Sequence, residues 1–162
     1  PTPLTTATCT GSDRLVPARA AQLPQTRASR VDWVDAALAA LIESGITSVK
    51  VARLATELGV QRSSFYWYFQ GRPDLEEALL EHWDDHNVSS LVERTKISAS
   101  TITAAVLKLF EYWADPSSFD HRLEFAIRDW ARRDTAVRTR LEHADERRVE
   151  AIAAMHRAFG ES

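Results

Sequence analysis

Cysteine is nearly absent from the chain: Cys9 is the only one among 162 residues, so no disulfide can form within it. Long apolar runs are missing as well. Nothing approaches the roughly 18 consecutive apolar residues needed to cross a bilayer, and the N-terminal stretch lacks the apolar segment of a secretory signal. With five glycines there is no phosphate-cradling loop, and no serine, histidine and aspartate or cysteine and histidine fall in a nucleophile arrangement. No segment alternates with a period of two, which argues against strands, and no internal repeat is present. These absences leave a helical protein without cofactor or resident metal, expected in the cytoplasm and not in a membrane.

A cation excess is also lacking, since the formal net charge is −3. Its distribution matters more than its sum. Between 45 and 72 the charged side chains are Lys50, Arg53, Arg62 and Arg72 against Glu57 alone. From 73 to 95 the balance reverses, with Asp74, Glu76, Glu77, Glu81, Asp84, Asp85 and Glu93 against Arg94. A basic segment followed by an acidic one suits a protein that meets polyanion at one end only.

Residues 1–29, rich in Thr, Ala and Pro, read as a disordered leader. Arg14, Arg19 and Arg27 within it suit either an inert tail or a basic arm lying along DNA. The first residue is not Met, which reads as a trimmed or processed chain. Beyond it the reading is all-α. Val31, Val34, Leu38 and Leu41 form one helical stripe that Gly45 ends. Val51, Leu54, Ala55 and Leu58 mark a short second helix stopped by Gly59, and a third runs from Ser63 to Phe69. Pro73, tolerated in a first helical turn, opens a fourth helix through Leu75, Leu79 and Trp83 to the low 90s. Ile102, Val106, Leu109 and Trp113 mark a fifth, ending near Pro116; Leu123, Ile127 and Trp130 a sixth, bounded by Asp134. Val137, Leu141, Ala144, Ile152, Met155 and Phe159 line the last, ended by Gly160. The expected organisation is a three-helix DNA-binding domain over 30–72 and a helical regulatory domain over 73–162.

The segment VARLATELGVQRSSFYWYF, residues 51–69, carries the function. Two short helices meet at a turn where Gly59 can take a positive φ and Val60 can fill the gap, the layout of a helix-turn-helix. With Phe65 and Phe69 inward, Gln61, Arg62, Ser63, Ser64, Tyr66, Trp67 and Tyr68 are left outside. Arg62 can pair with guanine O6 and N7, and Gln61 with adenine N6 and N7. Ser63 and Ser64 are short enough for close approach to a groove. The Tyr66 and Tyr68 hydroxyls can reach phosphates, with Lys50 and Arg72 flanking them as phosphate clamps. Trp67 suits either a sugar or thymine-methyl contact or stacking within the domain.

Gly45, Leu54-Ala55, Leu58-Gly59-Val60, Phe65-Tyr66-Trp67-Tyr68-Phe69 and Arg72 together resemble the signature of the tetracycline-repressor (TetR) family, over residues 31 to about 80. Asp129 to Val137 is similar to a segment common in one branch of it. The resemblance implies a DNA-binding transcriptional regulator, usually a repressor, that binds double-stranded operator DNA as a homodimer and is released by a small-molecule effector. It implies that Gln61, Arg62, Ser63 and Ser64 lie at the base-reading end of the recognition helix and that Tyr66 contacts the DNA backbone. Tyr68 stands where many members carry histidine and Arg72 where they carry lysine, both still hydrogen-bond donors. Val49-Lys50 replaces the usual Thr or Ser, leaving one hydroxyl–phosphate contact open, and Gln61 replaces Ser or Thr, which can shift operator preference. Members usually continue with two more long helices that pair with a partner, so the chain reads either as C-terminally truncated or as naturally short and dimerising otherwise, and is expected to dimerise and bind operator poorly as given.

Phe110, Trp113, Phe125 and Trp130 can line an effector pocket, or simply be core. His82 and His86, four apart beside Asp85, have a spacing that can hold zinc, but Trp83 stands where a catalytic Glu is expected and no third ligand is placed. A helical interaction module without DNA binding is the remaining alternative.

Overall fold

The computed structural model describes residues 28–160. Most of the leader, with Cys9, Arg14, Arg19 and Arg27, lies outside the described residues. Its last two positions belong to the fold, however: Ala28 is buried in the core. Ser29 caps the first helix in a reciprocal capping box with Asp32, whose carboxylate accepts from the Ser29 amide at 2.6 Å.

Among the described residues there are seven α-helices and no strand. Helix α1, Arg30–Ser44, ends at Gly45 with φ +76°, as its composition demands. A 3-10 turn, Ile46–Ser48, leads to α2, Val51–Glu57, and a 3-10 helix, Arg62–Trp67, follows. Helix α3, Arg72–Trp83, runs on through a π-helical segment, Asp84–Ser89, into α4, Ser90–Thr95. Then come α5, Ile102–Ala114, α6, His121–Ala131, and α7, Thr135–Gly160.

The α1 stripe is buried at Val34, Leu38 and Leu41, but Val31 faces solvent and Trp33, fully buried, takes its place. One buried cluster extends from Ala28 through α1, α2, the 3-10 helix and α3 to α6 and α7 at Ala144. The core is therefore continuous across residue 72. Leu123, Ile127 and Trp130 of α6 lie in it, with Val137, Leu141 and Ala144 of α7.

Two features depart from the sequence expectation. First, α5 buries Ala105 and Tyr112, whereas Val106 and Trp113 of the expected stripe are exposed. Ten of its thirteen residues are apolar, so periodicity could not single out a face. Second, the fourth expected helix contains a π-helical widening. There the Ser90 hydroxyl donates to the Asp85 carbonyl five residues back. The extra residue turns Asn87 fully inward beside Trp83 and Val88. Its amide clasps Asp120, donating to the Asp120 carbonyl at 2.9 Å and accepting from the Asp120 amide at 3.2 Å.

Asn87 also meets a buried ionic network that ties α3, α6 and α7 together. The Glu124 carboxylate accepts from Trp83 Nε1 at 2.8 Å, Asn87 Nδ2 at 3.2 Å, both Nη atoms of Arg148 at 2.9 Å, and Arg128 Nε at 3.0 Å. Burial pushes this carboxyl up; the hydrogen bonds and charge of Arg148, with those of Trp83 and Asn87, outweigh it and hold the group at about 2. Asp145 accepts from both arginines, at 2.8–3.0 Å from Arg128 and 2.9 Å from Arg148.

Candidate nucleic-acid interface

The reading unit begins at α2. Ser48 anchors its approach by donating to the Ala40 and Gly45 carbonyls, both at 2.7 Å, and Val49 is fully buried. This leaves Lys50 extended and exposed at the start of α2. Leu54 and Ala55 seat the helix on the core. At its end Gly59 takes φ +65°. Its amide donates to the Thr56 carbonyl at 3.2 Å and that of Val60 to the Ala55 carbonyl at 3.0 Å, the paired bonds of a Schellman turn. Val60 is half-buried against the core, filling the bend.

The segment leaving this turn is a 3-10 helix over Arg62–Trp67 instead of an α-helix from Ser63 to Phe69. Ser64 explains the tightening. Its amide (3.0 Å) and its hydroxyl (2.7 Å) both donate to the Gln61 carbonyl, occupying the acceptor that an α-helical amide would use. Phe65 and Phe69 enter the core one above the other, ring centroids 5.1 Å apart, and Trp33 meets Phe65 edge-on at 5.2 Å. The Arg30 guanidinium covers Phe69 from outside at 5.1 Å.

Seven of the expected contact residues stand around this anchored pair. Gln61, Arg62 and Ser63 are exposed at the N-terminal end. Tyr66 is 55% exposed, Trp67 70% and Tyr68 36%. Ser64 is half-buried with its hydroxyl spent internally, which removes it from the outward set. Lys50 and Arg62 have no ion-pair partner among the described residues, so both charges are available to an anion. Arg53, the other cation of α2, is held by Glu57 at 2.7 Å and Glu43 at 3.3 Å. Arg72 is exposed but engaged: it donates to the Ile46 carbonyl at 3.1 Å and pairs with Glu76 at 2.7 Å. It thereby straps α3 to the turn before α2, a role sequence alone did not reveal.

A family model described as bacterial regulatory proteins, tetR family, matches residues 34–79, from α1 into α3. Over that region, less than a third of the chain, the sequence is similar to tetR-family regulators. Comparison with curated proteins and with solved structures returns no match. A tetR-type transcriptional regulator carries its DNA-binding domain in this matched region, and the helix-turn-helix described above lies wholly inside it. Regulators of the tetR family are generally non-enzymatic and typically dimeric. None of the described helices is long and apolar enough to cross a membrane.

The four aromatic residues expected to line an effector pocket do not converge. Trp130 is buried in the core, whereas Phe110, Trp113 and Phe125 are exposed. Trp113 and Phe125 share the mouth of a cavity of about 250 Å³, whose lining includes Leu91, Phe119, Glu124 and Arg148 but neither Phe110 nor Trp130. A second, open cavity of about 780 Å³ lies between α4, residues 95–99 and the end of α7. The His82 and His86 rings stack 6.0 Å apart, but no cluster of three His, Cys, Asp or Glu side chains able to hold a metal occurs among the described residues. Sequence reasoning missed Glu124 and Arg148 altogether. Their signal was present: Arg148 falls in the gap between Ala144 and Met155 on the buried stripe of α7.

Proposed function

We propose that this regulator is a cytoplasmic, homodimeric repressor that reads operator DNA through the outward side of Gln61–Tyr68 and is released by a small-molecule effector. The observation that carries the reading is the exposure of Gln61, Arg62, Ser63, Tyr66, Trp67 and Tyr68 around two phenylalanines sunk in the core. Arg62 and Gln61 are the base-reading side chains, with Ser63 admitting close approach. Tyr66, Tyr68 and Lys50 contact phosphates, Trp67 packs on sugar or a thymine methyl, and Arg72 adds a phosphate contact from its strapped position. Pairing two such heads multiplies the few contacts one short helix offers. The two cavities in the helical part support a small-molecule site, since effectors of this size need a concave, mostly apolar pocket.

Selection of bound fragments from random DNA by the full chain is the test. A recovered two-fold motif supports the reading. Binding should fall sharply in the Arg62→Ala/Tyr66→Phe variant; a chain that retains no DNA, or a variant that binds as well as the parent, overturns it.

A further inference from the structure

The cations described between residues 30 and 72 are Arg30, Lys50, Arg53, Arg62 and Arg72. Arg53 and Arg72 are tied to carboxylates, whereas Lys50 and Arg62 are the free charges assigned to DNA above. The remaining one, Arg30, opens α1 and is exposed. No carboxylate among the described residues pairs with it. The acid closest in sequence, Asp32, is taken by the Ser29 amide at 2.6 Å and the Ser29 hydroxyl at 2.7 Å. A cation in the first turn also stands at the positive end of the helix dipole, so α1 gains nothing from the charge.

What holds Arg30 is a ring. Its guanidinium carbon lies 5.1 Å from the centroid of Phe69, the buried residue that anchors the far end of the reading segment. A guanidinium resting on an aromatic ring keeps the N–H groups of its edge for other partners. Its place follows from the segment's length. A 3-10 helix rises about 2 Å per residue, so Arg62 and Trp67 stand about 10 Å apart along its axis, close to the ~12 Å width of a major groove. With Arg62 among the bases, the end that carries Tyr68, Phe69 and Arg30 stands at the groove wall, where the phosphates run.

We infer that Arg30 is a further phosphate contact, seated on Phe69 and directed at the strand bordering the groove that Arg62 enters. The inference rests on the DNA-binding reading and adds to it a residue from outside the helix-turn-helix. Contact with the polyanionic backbone strengthens binding to every sequence alike. One phenylalanine then serves both purposes: it pins the reading segment to the core and aligns the clamp, so that base and backbone contacts keep a common register.

Gel shifts of the full chain across salt concentrations test this, on a duplex recovered by selection from random DNA and on an unrelated duplex. Two variants separate charge from cover. Arg30→Met keeps an apolar lid on Phe69 and removes the charge, and Arg30→Lys keeps the charge. Arg30→Met should weaken binding to both duplexes by about fivefold to tenfold at about 0.1 M salt, and lower the slope of log affinity against log salt by about 0.9 per bound chain. Its urea midpoint should match the parent's, and Arg30→Lys should keep the parental slope. A methionine variant with parental affinity and slope overturns the inference. So does a loss confined to the selected duplex, or one that comes with a lowered urea midpoint and an unaltered slope, the mark of a mere cover for Phe69. Those failures leave the DNA-binding reading standing, because the parent still binds; a parent that binds neither duplex overturns both.

Discussion

Replacing Glu124 by Gln keeps the shape of the side chain and removes its charge. In the parent, one carboxylate oxygen accepts from Arg128 and Arg148, and the other from Trp83, Asn87 and Arg148. Glutamine offers one acceptor and turns an NH2 toward donors, so Arg148, itself buried, loses its main counter-charge. Breaking a buried pair in this way costs about 3–5 kcal/mol. Asp145 still reaches both arginines, which places the expected loss at the lower end, roughly 3 kcal/mol. The acid titration gives a similar size. A carboxyl held at about 2 against an ordinary 4.5 contributes roughly 3 kcal/mol at 1.36 kcal/mol per unit. Because the folded value is depressed, this stability is fully present above pH 4.5 and disappears as the pH falls toward 2. Thermal unfolding followed by circular dichroism at pH 7 should therefore show Tm lowered by roughly 10 °C in Glu124→Gln. The parent should lose stability between pH 4.5 and 2 more steeply than the variant. Adding Arg148→Met should recover much of the loss, since an apolar replacement of both partners is often close to neutral. A Tm within about 2 °C of the parent, or identical acid limbs, would show that the network contributes nothing net.

Arg62→Ala should weaken binding to the selected operator by about 1–3 kcal/mol and relax the preference at one base, whereas Lys50→Ala should weaken all sequences alike and reduce the salt slope by about one; competition gel shifts across salt concentrations separate the two. Gly59→Ala meets no atom within 4 Å of the added methyl, so only the left-handed backbone is penalised, and urea unfolding should show a loss of about 1 kcal/mol. Phe65→Ala empties a fully buried site and should cost about 3–5 kcal/mol in the same assay, abolishing DNA binding with it.

What was legible in the sequence follows the strength of local constraint. Gly45 and Gly59 sit where the chain needs positive φ, and Phe65 and Phe69 repeat at helical spacing in a segment with no other apolar inward candidates; all four stand where expected. The α5 face was misjudged because nearly every position there is apolar, so the pattern holds no direction. The π widening and the Glu124–Arg148 pair escaped because each is defined by partners distant in sequence. Asn87 turns inward toward residues 33 and 37 positions away, and Arg148 finds Glu124 24 positions back. Arg72 was read from its charge alone, while its strap to Ile46 depends on a fold-level approach.

The alternation of inward and outward duties in the short 3-10 helix has an evolutionary corollary. Since two phenylalanines hold the segment in place, the neighbouring outward positions are released from any obligation to the core. On the proposed reading, drift at Gln61, Arg62 or Ser63 can change which operator is bound while the protein stays equally folded, so paralogues with new targets are reachable by single, individually tolerated steps.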